Sequence, residues 1–143
     1  MKHMKKHTFL LLFALTIAST QFTLAQQLNH YVIEKMAAKE MTKGIMLRTA
    51  SGANGTFGQF TMKKDAFVPM HSHENEQYSF ILRGSVHATI GDTVMIIRAG
   101  EAVIIPPNVP HSFRSLEDGT VDLDFFAPRR EDWINGTASY FQK

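Results

Sequence analysis

Cysteine is absent from the 143 residues. No disulfide can staple this chain, so its stability must come from an apolar core or from an oligomeric partner. The same absence does not exclude an oxidising compartment. Strands do not alternate with long amphipathic helices, which argues against Rossmann-like and TIM-like folds. No stripe of interleaved aromatic and basic residues marks a nucleic-acid surface. One long apolar run occurs, near the start, and it is short for a bilayer span.

That run reads as a secretory leader. Lys2, Lys5 and Lys6 form a basic opening, Phe9 to Leu15 begins the apolar stretch, and Thr23-Leu24-Ala25 offers small residues for cleavage before Gln26. An uncleaved anchor is the competing reading. The leader takes three lysines with it, so 15 basic side chains fall to 12 against 13 acidic ones, and the net charge changes from +2 to -1. The basic balance of the precursor therefore gives no support for nucleic-acid binding. The expected organisation is a signal peptide over 1–25, an N-terminal arm over 26–43, one domain over 44–133 and a tail over 134–143. A periplasmic or secreted location follows.

Lys35 to Lys43 has some helical character through Met36, Ala37, Ala38, Glu40 and Met41. Ser51-Gly52-Ala53-Asn54-Gly55 signals a turn. From Thr56 the chain reads as short strands rich in aromatic and β-branched residues. Gly91-Asp92 lies between Val86–Ile90 and Thr93–Ile97 as a tight hairpin turn. Pro106-Pro107-Asn108-Val109-Pro110 prevents a helix before His111, and a last strand covers Thr120 to Phe126. Many short strands predict an all-β sandwich or jelly roll.

The strongest chemical signal is His71-Ser72-His73, followed by Gln77 and, much later, His111. Histidines at i and i+2 leave an extended chain on the same side, and the four side chains can hold one divalent metal ion. Nickel, manganese, iron and zinc all remain open. The competing reading is a solvated polar edge. Gln77 is neutral, so such a shell leaves more of the ion's charge uncompensated than a glutamate would, which favours Lewis-acid over redox chemistry. Glu76 is an alternative ligand, but strand alternation sends it to the other face.

This constellation resembles the cupin superfamily. The first motif is His71-x-His73-x-x-x-Gln77 with Gly84 beyond it, and the second is Gly100-x5-Pro106-x-Asn108-x-x-His111. Asp65 stands where the first motif usually opens on glycine, Gln77 where it has glutamate, and Asn108 and Ser115 where the second has glycine and asparagine. The resemblance runs from about Gly44 to Trp133 and implies an RmlC-like jelly-roll β-barrel.

A second constellation follows in Asp122-Leu123-Asp124-Phe125-Phe126-Ala127-Pro128-Arg129-Arg130-Glu131-Asp132-Trp133. Asp124 and Phe126 share a strand face, and Arg130 follows a proline-marked turn. Asp124 can exchange a proton, Phe126 can pack on a sugar ring, and Arg130 can grip a carboxylate through two parallel hydrogen bonds. A surface ion-pair network is the competing reading. The run resembles the C-terminal signature of the KdgF family, cupins of pectin and alginate catabolism, through Asp124, Phe126, Arg130 and the Glu131-Asp132-Trp133 tail.

The resemblance implies a metal-dependent isomerase. Its substrates would be cyclic 4,5-unsaturated monouronates, such as unsaturated galacturonate or mannuronate, and its products linear ketonised 4-deoxy sugars. His71, His73, Gln77 and His111 would bind the metal. Asp124 and Arg130 would be catalytic, while Phe126, Arg130 and Arg48 would contact substrate. A cupin dioxygenase and a sugar-binding cupin without turnover are the alternatives. Exposed strand edges make a homodimer the expected assembly.

Overall fold

A computed structural model describes residues 28–139. The leader expected over 1–25 lies outside the described residues. Among the described residues, 31–139 form one compact unit, and Leu28, Asn29 and His30, which belong to another, are exposed and irregular.

The fold is all-β, in two antiparallel sheets. In chain order the strands are β1 (Lys39–Thr42), β2 (Ile45–Ser51), β3 (Thr56–Met62), β4 (Phe67–His71), β5 (Glu76–Arg83), β6 (Ser85–Ile90), β7 (Thr93–Arg98), β8 (Ala102–Ile105), β9 (His111–Ser115) and β10 (Thr120–Ala127). A one-turn helix, α1, spans Glu131–Ile134. One sheet has the order β1-β2-β3-β10-β5-β8 and the other β4-β9-β6-β7. This two-sheet arrangement is typical of cupins. The closed barrel expected from the sequence is met only in part, because no ladder runs from one sheet into the other and four edge strands remain.

Alternation builds the core. On β3, Thr56, Gly58, Phe60 and Met62 point inward, with Phe57, Gln59 and Thr61 between them facing out. Ile45, Leu47, Phe60, Met62, Ile81 and Ile105 of the larger sheet meet Val68, Val86, Ala88, Ile97 and Phe113 of the smaller one. Gly91-Asp92 makes the expected two-residue hairpin, since Ile90 pairs with Thr93. The segment with helical character folds otherwise: after a single 3₁₀ turn at Ile33–Lys35, Lys39–Thr42 pairs with β2 as an edge strand. Ladder pairing here outweighs the helix preference of Ala, Glu and Met.

Two backbone positions explain two of the four departures from the cupin motifs. Asp65 and Asn108, which replace glycines, are the two non-glycine residues with positive φ, at 64° and 62°, among those described. Asp and Asn tolerate the left-handed region better than other L residues, so the turns survive the substitutions. Gly84 allows no such exchange: its φ is 74°, and a Cβ there would lie 2.4 Å from Thr120 Oγ1.

Candidate metal centre

The ends of β4, β5, β9 and β10 deliver side chains to one end of the fold. His71 closes β4, His73 follows it in an irregular stretch, Gln77 lies near the start of β5, and His111 opens β9 directly opposite His71 in the ladder. One ring nitrogen from each histidine lies within 4.8 Å of the others. Metal–imidazole bonds of about 2.1 Å bring all three within reach of a single ion after small ring shifts. The His71 and His111 ring centroids are 4.3 Å apart, and those of His73 and His111 are 5.0 Å apart.

Each ring is oriented by its own backbone. Nδ1 of His71 donates to Pro69 O (2.8 Å), that of His73 to Asn75 O (3.0 Å), and that of His111 to Val109 O (2.8 Å). A carbonyl can only accept, so Nδ1 carries the hydrogen, and in the neutral ring Nε2 presents a lone pair to the cluster. This second-tier hydrogen bonding is what metal-binding histidines usually show.

The protonation state agrees. Burial, with help from the neighbouring His111, takes His71 down to about 3. Burial also takes His111 to about 4 and lowers His73, with the charge of Arg130 adding to the effect in both. Three neutral imidazoles at neutral pH suit a cation.

Two observations then test the fit of a metal. His111 Nε2 is buried and has no hydrogen-bond partner among the described residues, a costly arrangement that an ion would resolve. His73 Nε2 also faces Gln77 Oε1 at 3.0 Å. The amide cannot turn round cheaply, because its Nε2 donates to Ser79 Oγ at 2.8 Å and to Asp124 Oδ2 at 3.0 Å. Two acceptors in contact call for a cation beside them. His71, His73 and His111 thus form a cluster able to hold one divalent ion, and Gln77 can add an oxygen ligand.

Behind Gln77 lies a buried carboxyl pair. Asp124 Oδ1 accepts from Ser79 Oγ at 2.5 Å, and Asp122, two residues earlier on the same strand face, is 3% exposed. Burial pushes both carboxyls up. Asp122 rises well above the usual range, aided by the charge and hydrogen bond of Asp124; Asp124 rises to about 6, held back by bonds from Ser79, Asp122 and Gln77. Asp122 therefore keeps the proton and donates it to Asp124.

After β10, a cis peptide links Ala127 to Pro128, and the chain turns to Arg130. Asn75 holds this turn by donating to Pro128 O (2.7 Å) and Arg129 O (3.1 Å). The Arg130 guanidinium, 1% exposed, lies over the Phe126 ring at 4.9 Å and the Trp133 ring at 4.5 Å. It donates through Nε and Nη2 to both oxygens of Asp132, at 2.8 and 2.6 Å. Gly58, opposite Asp124 in the ladder, makes room for Trp133: a Cβ there would come within 2.9 Å of the indole.

The fold thus gathers His71, His73, Gln77, His111, Asp124, Phe126 and Arg130 at one end. Arg48 is not among them. It follows buried Leu47 on β2, half-buried and on the other side of the strand, and its Nε donates to Met36 O at 3.2 Å, so it fastens the preceding segment. Glu76 is bonded to the Tyr78 hydroxyl, away from the histidines. Sequence reasoning passed over Asp122, Ser79, Asn75 and Asp132 as site residues. Strand alternation marks Asp122, which shares a face with Asp124; Asp132 stands in the Glu131-Asp132-Trp133 tail with no role of its own assigned, and Asn75 carries no comparable signal.

Comparison with known proteins agrees with this geometry. The cupin-domain family model matches residues 58–126. A curated relative, the pectin degradation protein KdgF of Dickeya dadantii (strain 3937), is 32% identical over 72 residues, covering 50% of this chain and 66% of that protein. Among solved structures, KdgF from Halomonas sp. superposes with a TM-score of 0.71 at 19% identity, covering 75% of this chain and 99% of that one. An RmlC-like cupin from Shewanella frigidimarina gives 0.68 at 24% identity, covering 76% and 98%. With this fold, this histidine cluster and these matches, the chain has the cupin fold and is related to KdgF.

Proposed function

We propose that this protein linearises cyclic 4,5-unsaturated monouronates released from pectin or alginate, yielding ketonised 4-deoxy sugars. The observation that carries this reading is Gln77. Its oxygen faces His73 and its amide nitrogen binds Asp124, so a carboxyl able to move a proton stands one side chain from the metal cluster. The curated relative named for pectin degradation supports the substrate class.

A divalent ion held by His71, His73, Gln77 and His111 would supply Lewis acidity to a sugar oxygen. The remaining work falls to the chain. Asp124, poised near neutrality with its pKa at about 6, exchanges the proton that the isomerisation shifts from sugar oxygen to ring carbon. Ser79 and Asp122 hold the Asp124 carboxyl in one orientation. Arg130 neutralises the uronate carboxylate, and Phe126 bounds the apolar ring face. We place the two sheets as walls of a jelly-roll barrel, the assembly as a homodimer and the location, after leader removal, in the periplasm or outside the cell.

Time-resolved NMR on freshly generated unsaturated galacturonate and mannuronate is the test, with metal-depleted and reconstituted protein. Faster loss of the cyclic species with the metal-loaded protein is expected. Equal rates with and without protein under several metals reject the reading. Oxygen consumption would favour a dioxygenase, and binding without turnover a sugar-binding protein.

A further inference from the structure

The two groups assigned to proton transfer and carboxylate binding are sealed from solvent. Asp124 is 4% exposed and Arg130 1%. The cavity they share with His71, Gln77, Phe126 and Trp133 measures about 20 Å³, room for about one water and not for a sugar ring. Substrate therefore cannot reach them until some part of the wall moves.

Helix α1 is that part. Two larger cavities flank it, one of about 240 Å³ against Lys39, Leu47, Thr49, Asp132 and Trp133, the other of about 320 Å³ against His73, Asn75, Glu131 and Asp132. Asp132 lines both outer cavities, and Trp133 lines the inner cavity and the first of the outer ones. Withdrawing this one turn would join the three spaces into a chamber of monosaccharide size.

What holds α1 down has the chemistry of the substrate. The Asp132 carboxylate takes Nε and Nη2 of Arg130 through two hydrogen bonds, and the Trp133 ring covers the guanidinium face. The Asp132 side chain is 34% exposed, so water meets the anionic end of this pair while the guanidinium stays covered. Removing Asp132 without a replacement would take from this buried cation the carboxylate that meets it through two hydrogen bonds, a penalised change. An incoming carboxylate replaces it charge for charge, whereas a neutral sugar cannot.

We propose that α1 is a lid latched by Asp132 on Arg130, that the carboxylate of an acidic sugar releases it by exchange, and that Asp132 thereby selects uronates over neutral sugars. This rests on the assignment of Arg130 to the uronate carboxylate, and its test separates the two. Trp133 is the single tryptophan of the chain, so its fluorescence reports the lid without any turnover.

In metal-loaded protein, saturated galacturonate should shift the emission saturably and galactose should leave it unchanged. D132N should show the shifted emission with no sugar present, and its KM for unsaturated galacturonate should fall by about fivefold, the order set by a partly exposed ion pair. D132E, which keeps the carboxylate, should retain the wild-type emission. If D132N without sugar emits like wild type, the latch is overturned whatever the enzyme does. A higher KM with a lower kcat in D132N also overturns it, since Asp132 would then only hold Arg130 in place. Absence of turnover with the emission changes intact rejects the proposed reaction and leaves the lid standing.

Discussion

Strand β10 has two faces of opposite character. Inward it presents Asp122, Asp124 and Phe126; outward it presents Val121, Leu123 and Phe125. A sheet with one side in water normally turns its polar residues out, and this strand reverses the rule for its charges. The inner carboxyls are retained by hydrogen bonds from Ser79 and Gln77 and by one shared proton. The outer face has no such network and leaves Phe125 44% exposed. Burying two carboxyls costs stability, so the inner face is shaped by chemistry, whereas the outer face is shaped by contact.

The largest effect should come from neutralising the inner face. Asp124→Asn keeps the shape and removes the carboxyl that exchanges the proton, so the rate on unsaturated galacturonate should drop roughly 10²–10⁴-fold. Thermal stability should hold or rise, because a buried carboxyl is gone. Normal turnover by this variant would make the inner face structural and end the contrast with the outer one.

Next in size is the pair of adjacent phenylalanines. Phe126 is 1% exposed and packs on His73, Trp133 and Arg130, so Phe126→Ala should cost about 3–5 kcal/mol in denaturant unfolding. Phe125→Ala, one residue away on the outer face, should cost about 1 kcal/mol or less. Equal losses would mean that the outer face is as well packed as the core.

A smaller and graded effect is expected with pH in the metal-free protein. His71 and His111 stay neutral in the fold down to about 3 and 4, whereas in the unfolded chain they bind protons below about 6.5. The unfolded state thus holds more protons, and stability falls as pH drops below 6.5, by up to ~1.4 kcal/mol per pH unit for each histidine. Asp124 opposes this only below pH 6, where the folded state holds a carboxyl proton that the unfolded chain lacks. His73, lowered as well, joins the other two histidines, while Asp122, which keeps its proton in the fold throughout this range, opposes them together with Asp124. Three histidines against two carboxyls leave the net slope downward below pH 6.5. Thermal melts of chelator-treated protein from pH 7 to 5 check the sign, and metal loading should raise the melting temperature throughout.

Much of this was legible from the residues. His71, His73, Gln77 and His111 converge because strand alternation and the Gly91 hairpin constrain where their strands end. The inward turn of Asp124 and Phe126 follows from alternation alone. What was hidden depends on tertiary approach. β1 has no strand signal of its own and exists because β2 offers an open edge. Arg48 lies beside a loop in sequence, but its parity on β2 turns it away from the histidines. Asn75 gives no sign of its role until its amide is seen 2.7 Å from Pro128 O, 53 residues along the chain. The partner of Arg130 lies only two residues away, yet nothing in the Arg-Glu-Asp-Trp run says which acid it takes.

The outer face supplies the smallest expected effect on stability and the clearest on assembly. In register across the sheet, Phe57, Phe125, Tyr78 and Ile104 form one row, and Leu123 and Phe80 lie in the next. Phe80, Leu82 and Ile104 are 41%, 53% and 60% exposed, and an apolar patch of this kind on a sheet face marks a contact surface. If that contact is a second copy of the chain, Ile104→Lys and Phe80→Lys should shift the protein from dimer to monomer in size-exclusion chromatography with light scattering. Unfolding of the separated monomer should change by no more than about 0.5 kcal/mol, as for other exposed positions. A wild-type monomer at micromolar concentration would assign the apolar side of β10 to some other partner, while the carboxyls on its inner side would keep their role.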